Sequence, residues 1–434
     1  MNTVSGFSKF TKIQKIDFLA ENYFNDPNSI KDLLQSFWHS DEKSQMTFDE
    51  FSENTLTNFF FPYGVVPNLL LNNKSYCVPM VIEESSVVAA AANASNYWAK
   101  RGGVRAEILS FEKIGQIHFI YKESEERLFD FFERVKPEIL REVAPLADNM
   151  QKRGGGILEI SLRNLSDLEK GLFQIFMTFD TQDAMGANFI NSILEMAGRL
   201  FKEKSQREGI SIEIIMGILS NYTPNCLVKA SLSCKISELD DPKLGMSGLE
   251  FAQRFEWAVK ISKADIYRAT THNKGIMNGI DSVILATGND FRAVEACAHA
   301  YASRSGKYQG LTEISLEDDT FNYYLEIPLS LGTVGGLTSL HPLAKLSLTM
   351  LGNPDAKELM RICAAIGLLQ NFSAIRSLVT SGIQKGHMKM HLLNILNHMG
   401  ATDEERELAK EYFKTKIISF KAVSEFLSSR RILQ

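Results

Sequence analysis

The sequence predicts an α+β protein: a large mixed helix-and-strand domain, a ferredoxin-like unit inserted into it, and a helical C-terminal piece. Three observations carry this. Between about Ile108 and Ser220 the pattern runs strand, helix, strand, strand, helix, strand, the split-βαβ order. The mixed pattern that precedes this unit resumes after it, near Thr223. A glycine-flanked break, GIQKGH (Gly382–His387), then sets apart a last helical stretch, Met388–Leu433. A chain of 434 residues has room for two or three domains. The divisions fall at 1–108, 109–220, 221–381 and 382–434.

Lys12–Tyr23 and Ser29–His39 read as short helices. From Glu53 to Asn72 aromatic and β-branched residues with prolines read as short strands and turns. Glu84–Lys100 is an alanine-rich helix whose small side chains let another backbone approach. In the inserted unit the strands are Gly115–Tyr121, Gly156–Leu162, Leu172–Asp180 and Ser211–Ile218, and the helices Ser124–Val143 and Ala187–Arg207. Beyond it come a strand (Cys226–Cys234), helices around Ser247–Ser262, and a glycine- and asparagine-rich loop. An apolar strand (Val283–Ala286) and the tight turn TGND follow. A hairpin segment (Phe321–Pro328), the turn GTVGG (Gly332–Gly336) and helices Leu343–Leu351 and Ala356–Leu378 complete the domain.

Composition narrows the function. Hydrophobic content of 44% with 23% charged residues suits a soluble globular protein. A net charge of −5 gives no reason to expect nucleic acid, though local basic patches for a phosphorylated ligand remain open. Five cysteines without a CxxC pair point to reduced thiols in the cytoplasm. With no run of about 18 apolar residues, no membrane span is expected. The basic start lacks the apolar core of a secretory leader.

The chemistry concentrates in Thr271–Asp290, THNKGIMNGIDSVILATGND. Alone, Lys274 reads as a surface lysine. Among His272, Asn273, Gly275 and Asn278 it reads as part of a site for an anionic ligand, with Asp290 returned toward it by the second loop. A lysine beside a carboxylate is suited to holding an oxyanion and moving protons. Glu83 and Glu84 precede a helix, where carboxylates commonly cap. Following the apolar PMVI, either is expected to be partly buried, and burial favours the protonated form that serves as a general acid. Asp183 and Gly186 open the helix Ala187–Arg207, an anion-friendly start. No GxGxxG follows a strand, so a Rossmann domain is not indicated. His387 and His391 lie four apart, but a third ligand for zinc is missing, so no metal is expected.

Taken together, VIEESSVVAAAANAS (Val81–Ser95), DTQDAMGAN (Asp180–Asn188), the Lys274 segment and GIQKGH resemble hydroxymethylglutaryl-coenzyme A reductase of the soluble, bacterial (class II) type. The resemblance runs from Glu53 to His387. It implies two hydride transfers from NADPH or NADH to the thioester, giving mevalonate and coenzyme A, or the reverse. By the same resemblance Lys274 stabilises the oxyanion, Glu84 is the acid with Glu83 as fallback, Asp290 pairs with both, and His387 on a mobile C-terminal flap protonates the thiolate. Ser86, Arg268, Thr271 and Asn278 become substrate contacts. A guanidinium such as Arg268 can grip a carboxylate in a bidentate way. The dinucleotide falls to the inserted domain, at Asp148, Arg153, Gly154, Gly155, Asp183, Met185, Gly186 and Asn188. Lys152 and Arg153 lean toward NADPH, and Asp148 pulls toward NADH. In EESS, Ser85 replaces a family proline, and in ENTLT (Glu53–Thr57) the family's interface glycine is Thr57. The resemblance also implies a homodimer, or an assembly of dimers, with the active site between subunits. The rivals are a different coenzyme A-binding dehydrogenase or thiolysis enzyme, and an inactive coenzyme A- or nucleotide-binding regulator on the same scaffold.

Overall fold

The computed structural model describes residues 3–240, 245–380, 392–414, 416 and 418–431. Three short helices come first, α1 (Lys12–Tyr23), α2 (Pro27–Ser36) and α3 (Glu42–Asp49). A hairpin follows, β1 (Tyr63–Leu71) and β2 (Lys74–Val81). Its turn is Asn72-Asn73, both at positive φ (49° and 67°), a pair whose twist suits antiparallel strands. Helix α4 (Val87–Ala99) and strand β3 (Arg105–Ile108) lead into the inserted unit.

That unit comprises β4 (Lys113–Ile120), α5 (Glu125–Gln151), β5 (Gly156–Asn164), β6 (Leu172–Asp180), α6 (Ala187–Arg207) and β7 (Glu213–Ser220). Its antiparallel sheet has the order β5-β6-β4-β7, as the split-βαβ pattern requires. Both helices join a core of their own around Phe119, Phe131, Phe179, Ile193 and Phe201. Helix α5 reaches Gln151 rather than stopping at Val143. Its buried stripe continues through Val143, Ala147 and Met150, and this outweighs the one hydrogen bond that Pro145 removes.

The chain returns with β8 (Leu227–Lys235), α7 (Gly248–Ala264), α8 (Ile266–Ala286) and α9 (Phe291–Ala302). Then come β9 (Thr312–Glu317), β10 (Thr320–Pro328), α10 (Leu337–Leu340), α11 (Pro342–Met350) and α12 (Ala356–Val379). A second antiparallel sheet has the order β3-β8-β10-β9. Helix α12 is long and apolar enough to cross a membrane by length and composition, but it runs through the main core with Trp98, Phe255, Phe321 and Phe372. Helical residues 392–398, α13 (Asp403–Tyr412) and α14 (Phe420–Arg431) share a third small core.

The α+β class expected from the sequence is the one observed. The main departure is α8. The expected loop and strand are one continuous helix, with Val283–Ala286 as its last turn, and only TGND remains a turn, after its end. Asp265 caps it, accepting from Tyr267 N and Arg268 N at 3.2 and 3.3 Å. Ala269, His272, Asn273, Ile276, Ile280 and Val283 repeat every three or four residues and are buried. The glycines serve packing rather than turning. A Cβ on Gly279 would lie 2.9 Å from Gln370 Cβ, and one on Gly367 would lie 2.7 Å from Ile280 Cγ1. These two glycines let α8 and α12 cross in close contact.

Candidate active site

Glu84 occupies the turn between β2 and α4. The helix starts at Val87, and its N-cap residue Ser86 makes no side-chain cap, so neither glutamate works as the cap that its position suggests. Glu83 is exposed. Glu84 instead accepts a hydrogen bond from Lys274 Nζ at 2.8 Å, with Asn278 Nδ2 at 3.4 Å. The lysine side chain is 61% exposed and the glutamate 35%. Thr271, Lys274 and Asn278 fall on one face of α8 by their spacing of three and four. The Thr271 hydroxyl donates to Tyr267 O at 3.0 Å. Arg268 is half-buried, and burial, opposed by Tyr323, moves its pKa below the ordinary arginine value. Among the described residues it has no carboxylate partner.

His272 and Asn273 do not belong to this surface. His272 Nε2 lies 2.6 Å from Thr312 Oγ1, and burial pulls its pKa down to about 3. Asn273 donates to Gln309 O and accepts from Leu311 N, each at 2.9 Å. His272 ties α8 to the first residue of β9, and Asn273 ties it to the segment just before that strand. The helical period, unseen in the sequence reading, turns them inward.

Asp290 also departs from expectation. It caps α9, accepting from Arg292 N at 3.0 Å and Ala293 N at 3.2 Å, and pairs with the Arg292 guanidinium at 3.1 Å. The Arg292 hydrogen bond holds its carboxyl below the usual carboxylate pKa. It makes no contact with Lys274 or Glu84 of the same chain. Twelve helical residues separate Lys274 from Ala286, a rise of about 18 Å that no pair of side chains spans. The TGND turn forms after α8, but it leads Asp290 into the cap of α9 and not back to the lysine.

Asp290 belongs to a second cleft of about 650 Å³, lined by Ala184–Phe189, Gly288–Arg292 and the GTVGG turn. Here α6 begins at Gly186, with φ 85° and no side-chain cap. A Cβ at Gly186 would lie 2.4 Å from Thr181 Cγ2, so only glycine fits. The first amide groups of α6 are therefore available to an anion. Met185 and Asn188 line the same cleft. Asp183 has a structural partner: its Oδ1 accepts from Ala356 N, at the start of α12, at 2.8 Å. Gly154 (φ 88°) and Gly155, whose Cβ would meet Asp180 O at 2.4 Å, form the neighbouring turn. Gln182 joins it to the 183–188 loop by donating to Gly154 O at 3.1 Å. Asp148 and Arg153 are exposed at the end of α5. His387, with Gly382, Gly386 and His391, lies outside the described residues.

Sequence reasoning missed three residues of this framework. Lys113 is buried beneath the 184–185 turn, and its signal was a charge at the inward position of the apolar strand KIGQIHFI. Asn289 accepts from Gly332 N at 2.8 Å and so docks TGND onto GTVGG. Gln182, at positive φ (47°), gave no sequence signal beyond a polar residue in a loop.

A family model of hydroxymethylglutaryl-coenzyme A reductase matches residues 14–392. The chain belongs to the hydroxymethylglutaryl-coenzyme A reductase family. It is 34% identical over 403 residues to the 3-hydroxy-3-methylglutaryl-coenzyme A reductase of Archaeoglobus fulgidus, covering 93% of this chain and 88% of that protein. It is 34% identical over 439 residues to a probable reductase of Borreliella burgdorferi, covering 99% and 98%. A class II reductase from Streptococcus pneumoniae, described as bound to NADPH in open conformations, aligns with TM-score 0.72 at 37% identity. It covers 87% of this chain and all of that one. A further structure of the streptococcal enzyme gives TM-score 0.73 at 35% identity over 99% of this chain. The chain is thus a class II hydroxymethylglutaryl-coenzyme A reductase, an oxidoreductase. The reading as an inactive regulator finds no support in these likenesses. Among the described residues no cluster of three His, Cys, Asp or Glu side chains is placed to hold a metal ion.

Proposed function

We propose that this reductase builds each active site from two copies of the chain, with Glu84 and Lys274 from one and Asp290 with the dinucleotide cleft from the other. The observation behind this is the rise of α8 between Lys274 and its C-terminal end, which keeps the two halves apart within one chain. Val334, Leu337, Leu340, Leu343 and Leu346 expose apolar surface beside the cleft, as a homodimer interface would require.

In this reading Arg268 grips the terminal carboxylate of the hydroxymethylglutaryl group, and Ser86, Thr271 and Asn278 orient it. Lys274 holds the oxyanion that forms at the thioester carbonyl, which is where a fixed positive charge lowers the barrier most. His387, on a flap formed by residues 382–434, protonates the departing coenzyme A thiolate. Glu84 then supplies the proton to the aldehyde oxygen, giving mevalonate. A reduced nicotinamide supplies the hydride at each of the two reductions. The unit 109–220 holds it, with Gly186, Met185 and Asn188 at the phosphates and Gly154, Gly155, Asp148 and Arg153 toward the adenosine end. Asp183 acts there by fixing the loop. The uncapped start of α6, where only glycine fits, suits that group. We favour NADPH, which the streptococcal relative binds, and a cytoplasmic location, which suits five free thiols.

The test is oxidation of NADH and NADPH in parallel by the purified protein with hydroxymethylglutaryl-coenzyme A. Two dinucleotides consumed per mevalonate are expected. A folded protein that oxidises neither sinks the reading.

A further inference from the structure

Lys113 opens β4 and is 2% exposed, among the most buried charged side chains of the described residues. A buried ammonium is costly unless each proton finds an acceptor. Here Nζ donates to Ala184 O at 2.8 Å, to Met185 O at 3.1 Å and to Leu331 O at 3.4 Å. Three donors meet three carbonyls. Ala184 and Met185 belong to the turn that enters α6, whereas Leu331 belongs to the large domain beside GTVGG. The two segments touch closely: a Cβ on Gly332 would lie 2.5 Å from Met185 N. Lys113 lines a hollow of about 320 Å³ behind the turn, Gly186 lines the cleft in front of it, and Met185 borders both.

We propose that Lys113 is a positioning residue for the dinucleotide, gathering these carbonyls behind the turn so that the amide groups at the start of α6 face the cleft. The reason is peptide geometry. In a planar trans peptide the C=O and the next N–H point in opposite directions. Drawing the Met185 carbonyl back toward Lys113 turns the Gly186 N–H away from it. The inference rests on the dinucleotide reading above.

It also makes dinucleotide binding sensitive to alkaline pH. Burial is the largest influence on Lys113 and pulls its pKa down to about 8, opposed by Cys226 and Asp180. The other titratable groups nearby are Lys357 of α12, which shares the Phe111 ring with Lys113, and Asp290 and Cys297 across the hollow. A neutral amine has two N–H donors for three carbonyls. Above about pH 8 one carbonyl is released and the turn loosens.

The experiment uses the full chain, wild type, Lys113→Met and Lys113→Arg, with KM for dinucleotide and for hydroxymethylglutaryl-coenzyme A measured separately from about pH 7 to about pH 9.5. In wild type the dinucleotide KM should rise on the order of 10-fold across that range while the other KM stays within about 2-fold. Lys113→Met should show a raised, pH-independent dinucleotide KM already at neutral pH. Lys113→Arg should recover part of the affinity and lose the pH dependence, because a guanidinium stays charged. A Lys113→Met protein with unchanged dinucleotide KM, or with both KM values raised together, overturns the proposal. If that variant fails to fold, a flat wild-type dinucleotide KM through pH 8 overturns it instead. A wild type that oxidises no dinucleotide at all condemns the dinucleotide reading first.

Discussion

Lys274 and Asp290 are kept apart by one helix: Lys274 projects from the middle of α8 toward Glu84, and Asp290 follows the end of α8 and turns to Arg292. Each charge is matched locally, and neither reaches the other. The Lys274–Glu84 pair is exposed enough that its contribution to stability is about 0–1 kcal/mol. Its value is chemical. It holds a positive charge in place at a surface shared by Thr271, Asn278 and the half-buried Arg268.

Mixing two inactive variants tests whether the halves come from different chains. Lys274→Ala and Asp290→Ala should each be nearly inactive alone. In a two-fold dimer with shared sites, a mixed dimer keeps one intact site, with Lys274 from one copy and Asp290 from the other. Random exchange then restores about one quarter of wild-type activity. If each site lies within one chain, the mixture stays as inactive as its parents.

Lys274→Ala should lower kcat by about 100-fold or more, because it removes a preorganised partner for the oxyanion. Arg268 is untouched, so the dissociation constant for hydroxymethylglutaryl-coenzyme A should stay within about 3-fold. Lys274→Arg should also be poor, since a planar fork does not replace a point charge in a fitted site. Near-normal kcat in either variant would show that the oxyanion partner lies elsewhere.

The inserted unit was legible because its strands alternate and its helices are long. Leu172–Asp180 and Ala187–Arg207 have the predicted ends. The segment carrying the lysine was misread because two glycines and two asparagines look like turn chemistry. Only the partner helix reveals that Gly279 is there for a close crossing with α12. Once α8 is a helix, the inward turn of His272 and Asn273 and the distance to Asp290 follow. The residue pattern alone did not separate Glu84 from Glu83; the resemblance favoured Glu84, and the structure shows that side chain turned to Lys274 with Glu83 exposed. Lys113 was hidden for another reason: its partners are backbone carbonyls, which leave no mark in a sequence.

His272 should make the protein sensitive to mild acid. Its pKa falls from an ordinary 6.5 to about 3 in the folded chain, chiefly through burial. Between those values the unfolded chain binds more protons, so stability falls as pH falls through that window. From about pH 7 to about pH 5 this one group should remove roughly 2 kcal/mol. Asp281, pushed up to about 8 by burial and by Glu295, acts in the opposite sense. It is present in both proteins if wild type is compared with His272→Gln, and so cancels. Denaturant unfolding at the two pH values should show the variant losing less stability than wild type. Equal losses would mean that His272 is protonated at no cost.

Arg153 is expected to set the dinucleotide preference. It follows α5 beside Gly154, whose carbonyl is tied to Gln182 and so to the loop that enters α6. A 2′-phosphate placed there gains a charge-assisted contact from Arg153, with Lys152 next to it. Asp148 works against that phosphate, since a carboxylate favours a free ribose hydroxyl. With two cations against one anion, NADPH should have the higher kcat/KM. Both groups are exposed, so screening keeps the effect modest. Arg153→Ala should lower kcat/KM for NADPH on the order of 10-fold and leave that for NADH within about 2-fold. Raising the salt concentration should narrow the wild-type preference. If wild type prefers NADH and Arg153→Ala leaves NADPH use unchanged, the basic pair is a solvated surface and Asp148 sets the choice.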